Sequence, residues 1–256
     1  MASGRDLDAL ILVERHRELL LQSGVDTAFL EQLAESMSRV GLWEKAARVY
    51  QFLLEAAGGQ PEQRSNLFYP LIRMYVAAGD YDMAARYCDQ FFAEFDSHPD
   101  RFRVYELWVR SYLAQGDWDH VKYLLGKPDR PSDSRLEALA CDIYWDLQDY
   151  EMVQRLAIRI HDDLPGPQLL RTRYLQAEAL YNLGRYRQAL ELYRALEDQE
   201  AYLAPALYRA ARIRLHWGQK PEAGELLDRL LQQQPDSHWA ALARDLLFEL
   251  GRTATP

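Results

Sequence analysis

The side chains best suited to metal binding or nucleophilic chemistry are six histidines (His16, His98, His120, His161, His216, His238) and two cysteines, Cys88 and Cys141. No two histidines stand three to five residues apart, so a helical zinc pair and a zinc-finger pair are both missing from the pattern. Neither cysteine has a second Cys or a His at metal-ligand spacing. Both read as small buried hydrophobes rather than as a disulfide or a metal site. The chain has no glycine-rich phosphate loop, no dinucleotide fingerprint and no nucleophile elbow. His161-Asp162-Asp163 has the composition of an acid-base cluster. It stands just before Pro165-Gly166-Pro167, where a helix must end, and so reads as a solvated helix terminus. No cofactor, metal or catalytic residue is therefore expected. Catalytic groups brought together by the fold from distant positions would leave no such trace.

Composition narrows the classes further. The 256 residues are 48% hydrophobic and 27% charged, which fits a folded chain of one large domain or two small ones. Thirty basic and 39 acidic residues leave a net charge of −9, which argues against a general nucleic-acid binder. No apolar run approaches a membrane span, and the start of the chain lacks the apolar core of a secretory signal. The expectation is a cytoplasmic protein with no membrane insertion. The basic residues are 26 Arg and four Lys, a bias typical of GC-rich genomes and not in itself functional.

The elements that would position any site are announced by an internal repeat. A Gly, one residue, an aromatic and then a small residue recur as Gly41-Leu42-Trp43…Ala46, Gly79-Asp80-Tyr81…Ala84 and Gly116-Asp117-Trp118…Val121. The frame continues as Gln148-Asp149-Tyr150…Val153, Gly184-Arg185-Tyr186…Ala189 and Gly218-Gln219-Lys220…Ala223, and Gly251 marks a seventh turn. Successive turns lie 38, 37, 32, 36, 34 and 33 residues apart, a series that predicts a helical repeat array. Seven residues before each turn sit Ala34, Ile72, Val109, Cys141, Ala177 and Ala211. Five after it sit Ala46, Ala84, Val121, Val153, Ala189 and Ala223. Small or β-branched residues there let two helices approach to about 8–10 Å. Larger ones fill the space around them: Met37, Tyr75, Tyr112, Tyr144 and Leu180 before the turns, and Leu53, Phe91, Ile160, Leu196 and Leu230 after them. Pro165 and Pro235 are expected to stop second helices.

This small–small–aromatic framework, over about residues 27–251, resembles the tetratricopeptide repeat (TPR) family. The fourth repeat departs from it by lacking Gly. The sixth departs by carrying Lys220 for the aromatic and Arg214 for a core apolar residue. Local irregularity is expected at both. The resemblance implies an all-α fold: a right-handed α-solenoid, or superhelix, of antiparallel helix pairs with a concave groove. It also implies a non-catalytic scaffold or adaptor that binds a partner protein or peptide there.

The expected organisation is a cap helix in residues 1–26, six repeats over 27–235, a C-terminal cap helix over 236–251 and a tail at 252–256. The helix at residues 5–23 is apolar around much of its circumference, which suits either an end cap or a self-association surface. In the third repeat Gly126-Lys127-Pro128-Asp129-Arg130-Pro131 limits the second helix to about residues 119–125 and predicts an irregular break near 126–133, as a bend or a hinge.

In the TPR geometry the first helix of each pair lines the groove, with side chains about three, six and ten residues before each turn facing it. That places Tyr69, Arg73, Glu106, Arg110, Asp142, Trp145, Tyr174, Glu178, Tyr181, Tyr208 and Arg212 in the groove, with Arg209 beside them. Tyr, Trp and Arg dominate interface hot spots. Arg73 and Arg110 occupy equivalent places and could fork onto acidic side chains of an extended peptide. The alternative is that they pair with Glu106 and Asp142. Chaperone-binding TPRs clamp a C-terminal carboxylate with Asn and Lys. Here the place of the first Asn is held by Glu35, Arg73, Arg110, Asp142, Glu178 and Arg212, so the match fails. Residues 1–100 carry a net charge of −7 and residues 101–256 only −2, which would steer basic surfaces to the N-terminal part. Two further roles stay open: a structural subunit or chaperone of a larger bacterial secretion or envelope assembly, and an enzyme with a pocket inside the superhelix.

Overall fold

The computed structural model describes residues 27–160 and 164–251. The cap helix expected in 1–26, the 161–163 cluster and the 252–256 tail lie outside the described residues. Among the described residues there are thirteen helices and no strands. The chain divides into two compact units at Ser132/Asp133.

The first unit holds α1 (Thr27–Arg39), α2 (Trp43–Ala56), α3 (Pro61–Ala78), α4 (Tyr81–Glu94), α5 (Arg101–Gln115) and α6 (Trp118–Gly126). The second holds α7 (Ser134–Asp146), α8 (Tyr150–Ala157), α9 (Gly166–Asn182), α10 (Tyr186–Leu196), α11 (Glu200–His216), α12 (Lys220–Gln233) and α13 (His238–Glu249). Within each unit consecutive helices pack on each other, and first helices also touch the next first helix, as α3 does α5, α7 does α9 and α11 does α13. This is the layering of an all-α solenoid.

The small residues predicted to set the helix approach do so without exception. All twelve, six before the turns and six after, are 0% exposed. The large residues largely follow. Met37, Leu53, Phe91, Leu180, Leu196 and Leu230 are buried, while Tyr112 and Ile160 are only half-buried. Tyr112 instead stacks on His120 with centroids 4.7 Å apart. Ile160 lies beyond the end of its helix.

Each turn is closed by a residue in the left-handed region. Glycine takes it at five of the six repeat turns, with φ between 71° and 79° at Gly41, Gly79, Gly116, Gly184 and Gly218. In the fourth repeat Gln148 adopts it at φ 58°. The turn geometry therefore survives the missing glycine, at a steric cost that Gly would not incur. The residue after the turn has a further role that the periodicity did not disclose. Asp80, Asp117 and Asp149 each accept a hydrogen bond from a backbone N–H three residues on (3.2, 3.2 and 3.1 Å), capping α4, α6 and α8.

The second helix of the third repeat is short, as expected, and ends at Gly126. The fourth repeat is shorter still. α8 ends at Ala157, well before Pro165, so Pro165 is not what stops it. After Ala157 the apolar face fails: Ile158 is exposed, and Arg159 reaches back to the buried carboxylate of Glu137 at 3.2 Å. Pro165 opens the next helix instead, its carbonyl accepting from Gln168 and Leu169. Pro235 does follow the end of α12, and Ser237 caps α13.

Candidate functional site

The first helices of the N-terminal unit enclose a cleft of about 430 Å³. Glu31 and Glu35 of α1 line one wall. Gln63, Asn66, Tyr69 and Arg73 of α3 line the other, and Tyr50, Leu53 and Ala57 of α2 lie between them. Helical spacing explains the arrangement: 31 and 35, and 66, 69, 70 and 73, are i, i+3 and i, i+4 neighbours on one face of each helix. Tyr69 and Arg73, two of the residues assigned to the groove from sequence, are thus brought together.

The cleft is rich in acceptors. Tyr50 is 5% exposed, and its hydroxyl has no hydrogen-bond partner among the described residues. Burial raises its pKa, the nearby charges of Glu35 and Glu31 raise it further, and Arg73 opposes them, so Tyr50 stays a neutral phenol. Pro70 stands inside α3. It has no N–H to give the carbonyl of Asn66, which loses its ordinary i+4 donor. Glu35 meets Arg39 at 3.5 Å in a well-exposed pair. Tyr69 lies under the guanidinium of Arg103, 4.3 Å from its ring centroid. Sequence reasoning missed Glu31, Tyr50 and the proline device. A proline in the middle of an otherwise helical segment was the available signal for the last.

Apart from Arg212, the other assigned groove residues have partners within the protein. Arg110 binds Glu106 on its own helix at 2.8 Å, and Asp142 binds Arg171 at 2.8 Å, so the arginine partner expected for Asp142 is replaced by one from the next first helix. Trp145 leans on Tyr150, with centroids 5.4 Å apart. In the second unit Glu178 is buried at 2% exposure. It accepts from Tyr193 Oη at 2.6 Å and binds Arg209 through a forked pair of bonds, the shortest 2.7 Å. Burial works against the Arg209 charge, but its hydrogen bonds to Glu178 outweigh that and hold its pKa above the usual range. Burial and then the Glu178 charge push the Tyr193 phenol well up. Arg209 also lies over the Tyr181 ring at 4.7 Å. Tyr174 packs against Tyr202, and the buried Tyr208 against Trp239. Glu178 and Tyr208 thus turn inward, and Arg209 is held between Glu178 and Tyr181. Arg212 is exposed.

Among the described residues no cluster of His, Cys, Asp and Glu could hold a metal ion, and no helix is long and apolar enough to cross a membrane. Cys88 and Cys141 are free and fully buried, and burial pushes both thiols up, which leaves them unreactive.

Residues 180–246, from the end of α9 into α13, match the family model described as Tetratricopeptide repeat. That segment carries the tetratricopeptide repeat pattern. Among solved structures, the chain is similar to YrrB, described as a TPR protein with an unusual peptide-binding site. The two are 17% identical, with a TM-score of 0.40, over 89% of this chain and 96% of that one. It is also similar to the TPR2AB domain of yeast Sti1 in complex with pHSP90, at 15% identity and a TM-score of 0.40, over 98% and 96% of the two chains. A third similar structure is BtubC from P. vanneervenii, at 14% identity and a TM-score of 0.38, over 94% and 92%. No curated protein matches the sequence.

Proposed function

We propose that this protein is a non-catalytic interaction scaffold or adaptor that holds a partner protein or peptide against its first helices. The partner is engaged at the α1–α3 cleft. One observation carries this reading: Tyr69 and Arg73 line an open cleft together with Tyr50, whose hydroxyl has no hydrogen-bond partner among the described residues. A hydroxyl at the cleft with no internal partner is open to a ligand's hydrogen bond. Tyr and Arg at the rim offer flat apolar area and a planar donor set, the side chains that anchor interfaces. The free protein would reside in the cytoplasm of a bacterium.

Affinity capture from a lysate tests the reading, with the wild type run beside Tyr69→Ala/Arg73→Glu. A partner held by the wild type and lost by the variant supports it. A partner held equally by both moves the contact elsewhere and overturns the assignment.

A further inference from the structure

The cleft between α1 and α3 has a chemical sign. Its charged lining groups are unequal: the carboxylates of Glu31 and Glu35, joined by the phenol oxygen of Tyr50 and the helix carbonyl of Asn66 that Pro70 leaves without its i+4 donor, face the guanidinium of Arg73, while Arg103 at the Tyr69 ring is already paired with Asp100. Glu31 and Glu35 are one turn apart on α1, the separation at which two carboxylates can share one planar or tripodal cation. The Arg39–Glu35 contact is long and exposed on both sides, so it competes weakly for Glu35. Tyr50 sits between the walls and is held neutral by burial and by those same carboxylates, so its oxygen is available to accept. Residues 1–100 carry a net charge of −7, which favours approach of a cation.

We infer that the cleft is a side-chain subsite for a basic residue, Arg or Lys, of an extended peptide, held by Glu31, Glu35 and the Tyr50 hydroxyl. The inference rests on the peptide-binding reading above and specifies its ligand. The cation's N–H groups donate to the two carboxylates and to Tyr50 Oη. The aliphatic stem lies along Leu53 and Ala57, which line the floor. Arg73, exposed at the rim, is left to bind a carbonyl or a carboxylate elsewhere on the peptide.

The test uses the full chain and pools of acetylated, amidated nonapeptides whose central residue is fixed as Arg, Lys, Glu or Leu and whose other positions are randomised. Retention on immobilised protein is read by mass spectrometry. The Arg and Lys pools are expected to be retained at least about tenfold over the Glu pool, as charge-assisted bonds at one site allow. That ratio should collapse toward one in Glu31→Gln/Glu35→Gln, shrink in Tyr50→Phe and fall with added salt. Both variants keep side-chain shape, and circular dichroism confirms that they fold. A preference for the Glu pool, or a basic preference that survives Glu31→Gln/Glu35→Gln, overturns the inference. Retention without charge preference that Tyr69→Ala/Arg73→Ala abolishes also overturns it, while leaving peptide binding at the cleft intact. No retention of any pool overturns both.

Discussion

The phenol of Tyr193 on α10 donates a hydrogen bond of 2.6 Å to the carboxylate of Glu178 on α9. Tyr193 is 0% exposed, so this bond lies inside the second unit. Arg209 of α11 completes the arrangement from the next first helix, giving Glu178 partners from two neighbouring helices. A carboxylate placed on the partner-facing side by its spacing is instead what joins one repeat to the next. Removing one donor leaves the charge under-solvated. Tyr193→Phe is expected to lower unfolding stability by about 1–3 kcal/mol, and Glu178→Ala by about 3–5 kcal/mol because it strands Arg209. Urea denaturation of the two variants measures both.

Tyr50 predicts the opposite behaviour. Its hydroxyl has no partner to lose among the described residues, so Tyr50→Phe is expected to leave stability unchanged or raise it slightly. A thermal melt that stays within about one degree of wild type, beside a marked drop for Tyr193→Phe, separates the free hydroxyl from the bonded one.

Gln148 occupies a left-handed turn position at φ 58°, where its counterparts are glycines. Gln148→Gly is expected to stabilise the chain by up to about 1 kcal/mol, the steric relief exceeding the added chain entropy. Gly184→Gln, the reverse change at a φ of 71°, should destabilise by a similar amount. Paired urea melts of the two variants test the sign.

The zero exposure of Ala177 and Ala211 means that neither site has room to grow. Ala177→Leu and Ala211→Leu are each expected to cost about 1–3 kcal/mol by overpacking. The same change at Ala201, exposed on α11, should fall within about 0.5 kcal/mol of zero.

Asp117 caps α6, and its pKa is lowered first by the backbone N–H of His120 and then by the His120 ring. A depressed carboxylate contributes stability that is fully present above its unfolded-state pKa and is lost as pH falls through its folded-state value. An NMR titration of the Asp117 side chain should therefore give a midpoint below the ordinary aspartate range, with α6 amide protection declining over the same window.

The repeat frame was legible because it depends on contacts local in sequence. Turn residues and the small residues seven before and five after them are set by helix period and by how closely two consecutive helices must approach. Ala34, Val153 and Ala223 could therefore be placed from spacing alone. Helix length was legible where a Gly-Pro run cut it, at Gly126, and illegible at Ala157, where the cause is Arg159 turning back to Glu137 on another helix. The site divided in the same way. That Tyr69 and Arg73 share a face was legible because they lie one turn apart on their own helix. Glu31 and Tyr50 were not, since their chemistry comes from facing helices. Glu178 and Tyr208 were misdirected because burial on a first helix is decided by Tyr193, Arg209 and Trp239, which lie 15 to 31 residues away in the chain. Short-range periodicity determined by itself which helices exist and which residues let them approach. Which polar groups face solvent and which are consumed inside depended on long-range pairing, and only the tertiary structure could decide that.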